Sequence, residues 1–485
     1  MSSADLLALS PLGVAAASAV ILLLIIAVRR SFIAAAAFSL AAALIGLAAV
    51  FGAGRFAPRA VTSLFVVDRF SLFFTGLFFA AGFVVFLLAV SYLRPSARRR
   101  EEFFLMGFIA LTGAAVLASS VHFVTFFLGL ELLSVSLYVL ISFPLDRRES
   151  AEAGLKYLVL AASSAAFLVF GAALVYGETG GLDFATWAAR AAERGGASPL
   201  VLLGFALIIV GIGFKLGVVP FHMWAPDIYQ GAPAPAAALV ATVSKGAVLA
   251  FLLRFFTILD IRQTPSLALV LALIAGASMI AGNLLALRQN RLKRILGYSS
   301  IAHLGYLLVA FLAGGAAGPE AAIVYLVAYI VALTAAFGSV ALLSPAGADA
   351  DPLEDYRGLF WARPGPAAAL TLAMLSLAGI PLTAGFLGKF FVAAAAVGAS
   401  LWALVVILVA TSVIGLYYYL RVLVALYARP REPSAGPVIE PRPRGAWIAG
   451  GIGLVLSVLI LLWLGVFPSG LMELIKAAVV PLSGR

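Results

Sequence analysis

A chain of 485 residues that is 64% hydrophobic and only 11% charged falls outside the ordinary soluble class, in which about half the residues are apolar and about a quarter charged. A formal net charge of +11 would suggest a nucleic-acid partner in a soluble domain, but here the arginines fall in short connections between apolar runs, the topogenic pattern of membrane proteins, and nucleic acid is excluded. The absence of cysteine excludes disulfides, cysteine-held iron–sulfur clusters and thiol catalysis on this chain, so any electron chemistry belongs to partners.

Taken in chain order, apolar runs of about twenty residues, long enough to cross a bilayer, recur at 6–28, 31–52, 69–93, 103–120, 122–143, 153–176, 200–224, 235–259, 266–288, 294–315, 319–344, 366–395, 400–427 and 446–468. They predict an all-α polytopic membrane protein of about fourteen transmembrane helices, because a helix satisfies its own backbone polar groups without help from lipid. In the first run the positive pair Arg29 and Arg30 follows the apolar residues. A cleaved signal peptide has the opposite order, so this segment is expected to stay as a span with its start outside. On that basis the inside connections hold Arg29, Arg30, Arg94, Arg98, Arg99, Arg100, Arg147, Arg148, Arg288, Arg291, Lys293, Arg294, Arg357, Arg363, Arg429, Arg431, Arg442 and Arg444. The outside ones hold only Arg55, Arg59, Arg69, Arg190, Arg194, Arg262, Lys476 and Arg485. This bias predicts both termini outside. Residues 177–198 and 345–365 read as polar loops, and 429–445, rich in Pro and Arg, as another; none is large enough for a soluble domain.

Two runs are interrupted, the seventh by Gly217, Val218, Val219 and Pro220, and the twelfth by Gly379, Ile380 and Pro381 with Gly385 and Gly388 following. Broken helices in corresponding positions point to internal repeats and to a transport site. The breaks lie five spans apart, and an odd repeat length reverses orientation. Inverted five-helix repeats are therefore expected at 101–260 (helices 4–8) and 261–428 (helices 9–13), with three added helices in 1–100 and a loop and final helix in 429–485. The plainer reading is that proline and glycine are common in membrane helices, where neighbours satisfy the freed backbone.

Ionisable groups inside a span are costly and by default mark a path for ions or protons. Lysine is scarce, occurring only as Lys156, Lys215, Lys245, Lys293, Lys389 and Lys476. Arginine keeps its proton in proteins, whereas a desolvated lysine can give one up near neutrality. Glu131 lies near the middle of HFVTFFLGLELLSVSLYVL, Lys215 one turn before the first break, Lys245 nearly central in its run, and Lys389 just after the second break. Lys156, a few residues inside its run, has the option of snorkelling to the interface. His303 sits beside hydroxyls in YSSIAHLGYLL and is a candidate relay between lysines, or a plain helix–helix hydrogen bond. With His122 and His222 dispersed elsewhere and no cysteine, no metal-ligand spacing exists. No Walker A loop, dinucleotide fingerprint or nucleophile elbow is present.

Magnitudes decide whether such residues suffice to pump. Moving one proton against about 150 mV costs roughly 3.5 kcal/mol, equivalent to a swing of about 2.5 pH units in proton affinity. A Glu–Lys pair at about 4 Å with an effective dielectric near 20 is worth roughly 4 kcal/mol. Opening and closing one pair, Glu131 with Lys215, is thus enough to release a proton toward Lys245 and then Lys389.

The segments FKLGVVPFHMWAPDIYQGAPAPAAALVATVSKGAV (Phe214 to Val248), YSSIAHLGYLL (Tyr298 to Leu308), EDYRGL (Glu354 to Leu359) and SLAGIPLTAGFLGKFFV (Ser376 to Val392) closely resemble the N-type subunits of the bacterial proton-translocating NADH–quinone oxidoreductases, respiratory complex I. The resemblance covers roughly Glu101 to Ala425; the first three spans and the last match only in being apolar and in number. It implies an antiporter-like subunit with inverted five-helix repeats and a proton path along the central plane of the membrane. The path would use Glu131, Lys215, Lys245 and Lys389, with Lys156 and His303 as supporting polar residues. It further implies a multi-pass place in the bacterial cytoplasmic (inner) membrane, among other membrane subunits that include related antiporter-like ones. FMN, iron–sulfur clusters, NADH and quinone are then expected on other subunits, with no cofactor or metal on this chain. L-type and M-type subunits and the Mrp-type sodium/proton antiporters share the core, which leaves an Mrp-type subunit as the alternative. The run YQGAPAP and the short tail after the last span favour the N type.

Overall fold

The structure, a computed structural model, describes residues 2–93, 99–143, 147–193, 198–258, 264–345, 349–429 and 444–483. Of the basic residues in the charge pattern, Arg94, Arg98, Arg194, Arg262, Arg431, Arg442 and Arg485, with most of the 429–445 loop, lie outside the described residues.

Helix α1 (Ser3–Ala8) bends into α2 (Ser10–Val28), α3 (Phe32–Ala53) returns, and an antiparallel hairpin of β1 (Arg59–Thr62) and β2 (Phe65–Val67) leads to α4 (Arg69–Tyr92). Next come α5 (Glu102–Ser119), α6 (Phe123–Ile141), α7 (Arg148–Thr179), the short α8 (Phe184–Glu193), α9 (Pro199–Leu216) and α10 (Trp224–Gly231). Helix α11 (Ala234–Leu239) passes through a π-helical turn at Val240–Ser244 into α12 (Lys245–Ile258). The remainder is α13 (Pro265–Leu287), α14 (Leu292–Ala313), α15 (Ala317–Leu343), the one-turn α16 (Leu359–Ala362), α17 (Pro364–Ala378), α18 (Ala384–Gly398), α19 (Trp402–Tyr427), α20 (Arg444–Val466) and α21 (Ser469–Val479). Among the described residues 13 helices, with α11 and α12 taken as one, are long and apolar enough to cross a membrane. Helices α17 and α18, each too short alone, complete the expected set as one interrupted crossing.

The seventh apolar run ends as a helix at Leu216, short of its expected end at 224, because Gly217 turns left-handed there (φ 75°). Its N–H bonds to Gly213 O and the next, Val218 N–H, returns to the same carbonyl. Gly379 (φ 83°) ends α17 in the same way, its N–H and that of Ile380 both reaching Leu375 O. Only glycine adopts this backbone freely, so the two breaks share one hydrogen-bond pattern. The stretches read as polar loops also hold structure: α8 lies in 177–198, and a 3₁₀ turn with α16 in 345–365. Helices α8 and α21 and the hairpin are too short to register as spans. Each nonetheless buries one face, α8 through Phe184 and Trp187 against Phe205 and Phe255, and α21 through Ile475 and Ala478.

Loops assigned to one side of the membrane meet each other. On the side expected to face inward, Arg30 pairs with Glu102, Lys293 with Asp349, Arg291 with Asp351, and Arg294 with Asp227. On the opposite side, Val121 N–H donates to Leu64 O and Phe123 N–H to Leu182 O. There Arg59 pairs with Asp5 and holds its carboxyl down to about 2. A buried two-pronged ion pair, Arg254 to Asp68 at 2.8 and 2.9 Å, ties α12 to the N-cap of α4. Helices α11 and α12, α14 and α15 are wholly enclosed, whereas α2, α3, α7, α19 and α20 are mostly exposed along one side. The interior axis of the molecule is therefore built from the helices that carry Lys245, His303 and their neighbours.

Candidate functional site

Glu131 and Ser134 stand one turn apart on α6, so both face the end of α9. Lys215 occupies the last turn of α9, where the unsatisfied carbonyls of a helix C-terminus favour a cation. It is 3% exposed, donates to Ser134 Oγ at 2.7 Å, and lies 3.9 Å from Glu131 Oε1. Glu131 Oε1 has no hydrogen-bond partner among the described residues. The pair is thus held by Coulomb attraction alone, a contact that opens without breaking a hydrogen bond. Glu131 is 29% exposed, on an α6 face otherwise lined by exposed Leu128, Leu132 and Val135.

Lys245 begins α12 directly after the π-helical turn, a local underwinding that recurs at functional sites. The residue is 0% exposed. Its Nζ donates to Ser300 Oγ of α14 at 2.6 Å and lies 5.5 Å from the Tyr229 ring and 6.0 Å from the Trp224 ring. Ser300 Oγ also contacts Tyr329 Oη at 2.5 Å and Tyr229 Oη at 3.1 Å.

Lys389, 9% exposed, folds back from α18 to the end of α17, donating to Ala378 O at 2.9 Å and to Ser412 Oγ at 2.8 Å. The helix break thereby supplies a free C-terminal carbonyl for the Lys389 ammonium. His303 is held at both ring nitrogens, Nδ1 by Tyr325 Oη at 2.7 Å and Nε2 by Tyr419 Oη at 2.9 Å. Its ring lies 5.5 Å from that of Tyr329 and 5.6 Å from that of Tyr306, and Tyr306 lies 5.5 Å from Lys389 Nζ. Lys245 and Lys389 are joined by a continuous series of polar and aromatic contacts through Ser300, Tyr329, His303 and Tyr306. From Phe214, the neighbour of Lys215 in sequence, aromatic rings reach to within 6.0 Å of Lys245 Nζ. Trp224 packs on Phe214 with ring centroids 5.4 Å apart and donates its indole N–H to Phe214 O at 2.8 Å.

Lys156 is not in this row. Its side chain is 47% exposed and pairs with Glu152 at 2.7 Å and Asp227 at 3.4 Å, at a cavity of about 400 Å³ lined also by Arg294, Lys293 and Asp349. Of the other histidines, His122 caps α6 by accepting Val124 N–H, and His222 lies between α9 and α10. The structure therefore brings Lys215, Lys245, His303 and Lys389 into the interior, sets Glu131 against Lys215 from a part-exposed face of α6, and leaves Lys156 at an ionic rim. Sequence reading missed Asp227, Tyr229, Ser300, Tyr329 and Ser412. Hydroxyls are common in membrane helices, and nothing local marks those that face a lysine. Arg254 did carry a signal, a charge inside FLLRFF.

Residues 120–415 match the family described as NADH:quinone oxidoreductase/Mrp antiporter, TM. The chain is 46% identical over 486 residues to NADH-quinone oxidoreductase subunit N of Ectopseudomonas mendocina (strain ymp), covering 99% of this chain and 97% of the relative. It resembles a chain of respiratory complex I from Thermus thermophilus with bound aureothin, at TM-score 0.81 and 35% identity, over 96% of this chain and 99% of that one. A chain of the Mrp complex from Dietzia sp. DQ12-45-1b shares the fold at TM-score 0.88 with 20% identity, over 100% and 98% of the two chains.

Proposed function

The chain belongs to the NADH:quinone oxidoreductase/Mrp antiporter membrane family, and from that premise we propose that it serves as the N-type proton-translocating membrane subunit of a bacterial NADH–quinone oxidoreductase. Quinone reduction, with FMN, iron–sulfur clusters and NADH, takes place on other subunits, and the chain sits in the cytoplasmic membrane with both termini outside. The observation that carries this reading is the interior row of three buried lysines with one carboxylate, Glu131, 3.9 Å from the first. An ammonium that is desolvated but still hydrogen-bonded is an amine able to exchange a proton, and a single movable carboxylate biases that exchange.

Protons enter at Glu131 and Lys215, pass Lys245, cross the contacts around His303 and leave on the side governed by Lys389. Lys156 supports this from the ionic rim. The matched breaks at Gly217 and Gly379 support two inverted units, 101–260 and 261–428, flanked by 1–100 and 429–485. The outward face of α6, where Glu131 is part-exposed among leucines, suits cover by a neighbouring membrane subunit, since a lipid-facing carboxylate is costly.

In the intact complex, Lys215→Met, Lys245→Met and Lys389→Met should each abolish proton translocation in sealed vesicles. Unchanged translocation in any one of the three would refute the relay. An Mrp-type exchanger is the second reading, favoured only by the shared fold; sodium-dependent proton exchange by the chain without flavin and iron–sulfur partners would establish it instead.

A further inference from the structure

Lys245 comes from the first five-helix unit, yet its hydrogen-bond acceptor, Ser300, comes from the second. No carboxylate pairs with Lys245 among the described residues, so its charge rests on that hydroxyl and on the faces of Tyr229 and Trp224. Ser300 also has two tyrosine hydroxyls in reach, Tyr229 on α10 and Tyr329 on α15. A serine hydroxyl offers one proton and two lone pairs, so three partners saturate it. While Lys245 is an ammonium it can only donate. Ser300 then accepts from it, gives its own proton to one tyrosine and accepts from the other. When Lys245 is a neutral amine it gains a lone pair and can accept from Ser300, leaving both tyrosines free to donate to Ser300. The charge on Lys245 thus sets the direction of the hydrogen bonds around the serine.

We propose that Ser300 is the positioning residue of the central lysine: its hydroxyl holds the Lys245 ammonium in place and couples the protonation of Lys245 to Tyr229 in the first unit and Tyr329 in the second. The coupling has somewhere to go on both sides. Tyr229 lies on the eight-residue α10, which also carries Asp227, the carboxylate bridging Arg294 and Lys156 at the inner rim. Tyr329 lies 5.5 Å ring to ring from His303, whose two nitrogens are held by Tyr325 and Tyr419. Each hydroxyl keeps its own proton and changes only the direction in which it donates, while the one proton that Lys245 releases or regains passes along the relay proposed above.

This inference rests on the lysine relay proposed above, and the test separates the two. Protons translocated per quinone reduced are measured for the intact complex in sealed vesicles. A hydrogen bond to a charged group changes a population by about ten- to a hundredfold, so Ser300→Ala should lower translocation at least about tenfold. Ser300→Thr, which keeps the hydroxyl, should restore it to within about twofold. Tyr329→Phe removes one partner without touching Ser300 and should lower translocation severalfold, an arm that holds even where Ser300→Ala disturbs assembly. The inference is overturned if Ser300→Ala or Tyr329→Phe translocates like the parent while Lys245→Met does not, or if Ser300→Thr is as impaired as Ser300→Ala, which would make the role one of packing. If Lys245→Met itself translocates normally, the relay fails instead.

Discussion

Replacing Glu131 by Gln keeps the shape of the side chain and removes its charge, which isolates the ion pair with Lys215. At the observed 3.9 Å, two unit charges in an effective dielectric near 20 attract by about 4 kcal/mol. Removing that attraction disfavours the charged form of Lys215 by an amount of the same order. The Ser134 hydrogen bond remains, so Lys215 stays in place and its readiness to hold a proton is what changes. Less charge at a given pH means that more acid is needed to load the site. Translocation by the Glu131→Gln complex should therefore fall severely at neutral pH and recover in part as the loading side is acidified, whereas Glu131→Asp should keep most of the effect of the charge. The assay is dye-reported acidification of sealed vesicles, normalised to quinone reduction and followed across pH. A Glu131→Gln profile superimposed on that of the parent at every pH would refute the reasoning, because the pair would then contribute nothing to loading. The size of the term matters for function: driving a proton against about 150 mV requires roughly 3.5 kcal/mol, and this one contact supplies a change of that order.

Lys156→Met should leave translocation within about twofold of the parent, since exposed ion pairs of this kind are worth about 0–1 kcal/mol; abolition would place Lys156 in the conducting row. Asp68→Ala strands the buried Arg254 guanidinium, which keeps Ala118 O and the face of Phe70 but no carboxylate partner among the described residues, and should destabilise the fold by about 3–5 kcal/mol. Thermal unfolding in detergent measures this, and the apolar double variant Asp68→Leu with Arg254→Met should recover most of the loss. Gly379→Ala meets both a left-handed backbone and a Cβ position 2.8 Å from Lys389 Cδ, so it should impair translocation. Gly180→Ala, equally left-handed (φ 74°) with nothing within 4 Å, carries only the backbone strain of about 1–2 kcal/mol and should translocate normally.

The sequence by itself determined the number of crossings, because span-length apolar runs leave lipid no alternative to helices. It also determined the two interruptions, since a proline two or three residues beyond a glycine stops a helix whatever surrounds it. Lys215, Lys245 and Lys389 were legible as interior groups because each is a costly charge deep in an apolar run. Only the tertiary structure decided which groups meet them. Ser300 and Ser299 are adjacent hydroxyls that read identically in YSSIAHLGYLL, yet the helix turn sends one to Lys245 and the other to Tyr419. Lys156 differs from its interior counterparts in sequence only by standing near the start of its run, and its exposure follows from the side of α7 that the bundle leaves uncovered. A run of residues specifies how far along the membrane normal a group sits. Its bearing around the helix axis gains meaning only when neighbouring helices, brought from hundreds of residues away, close around it.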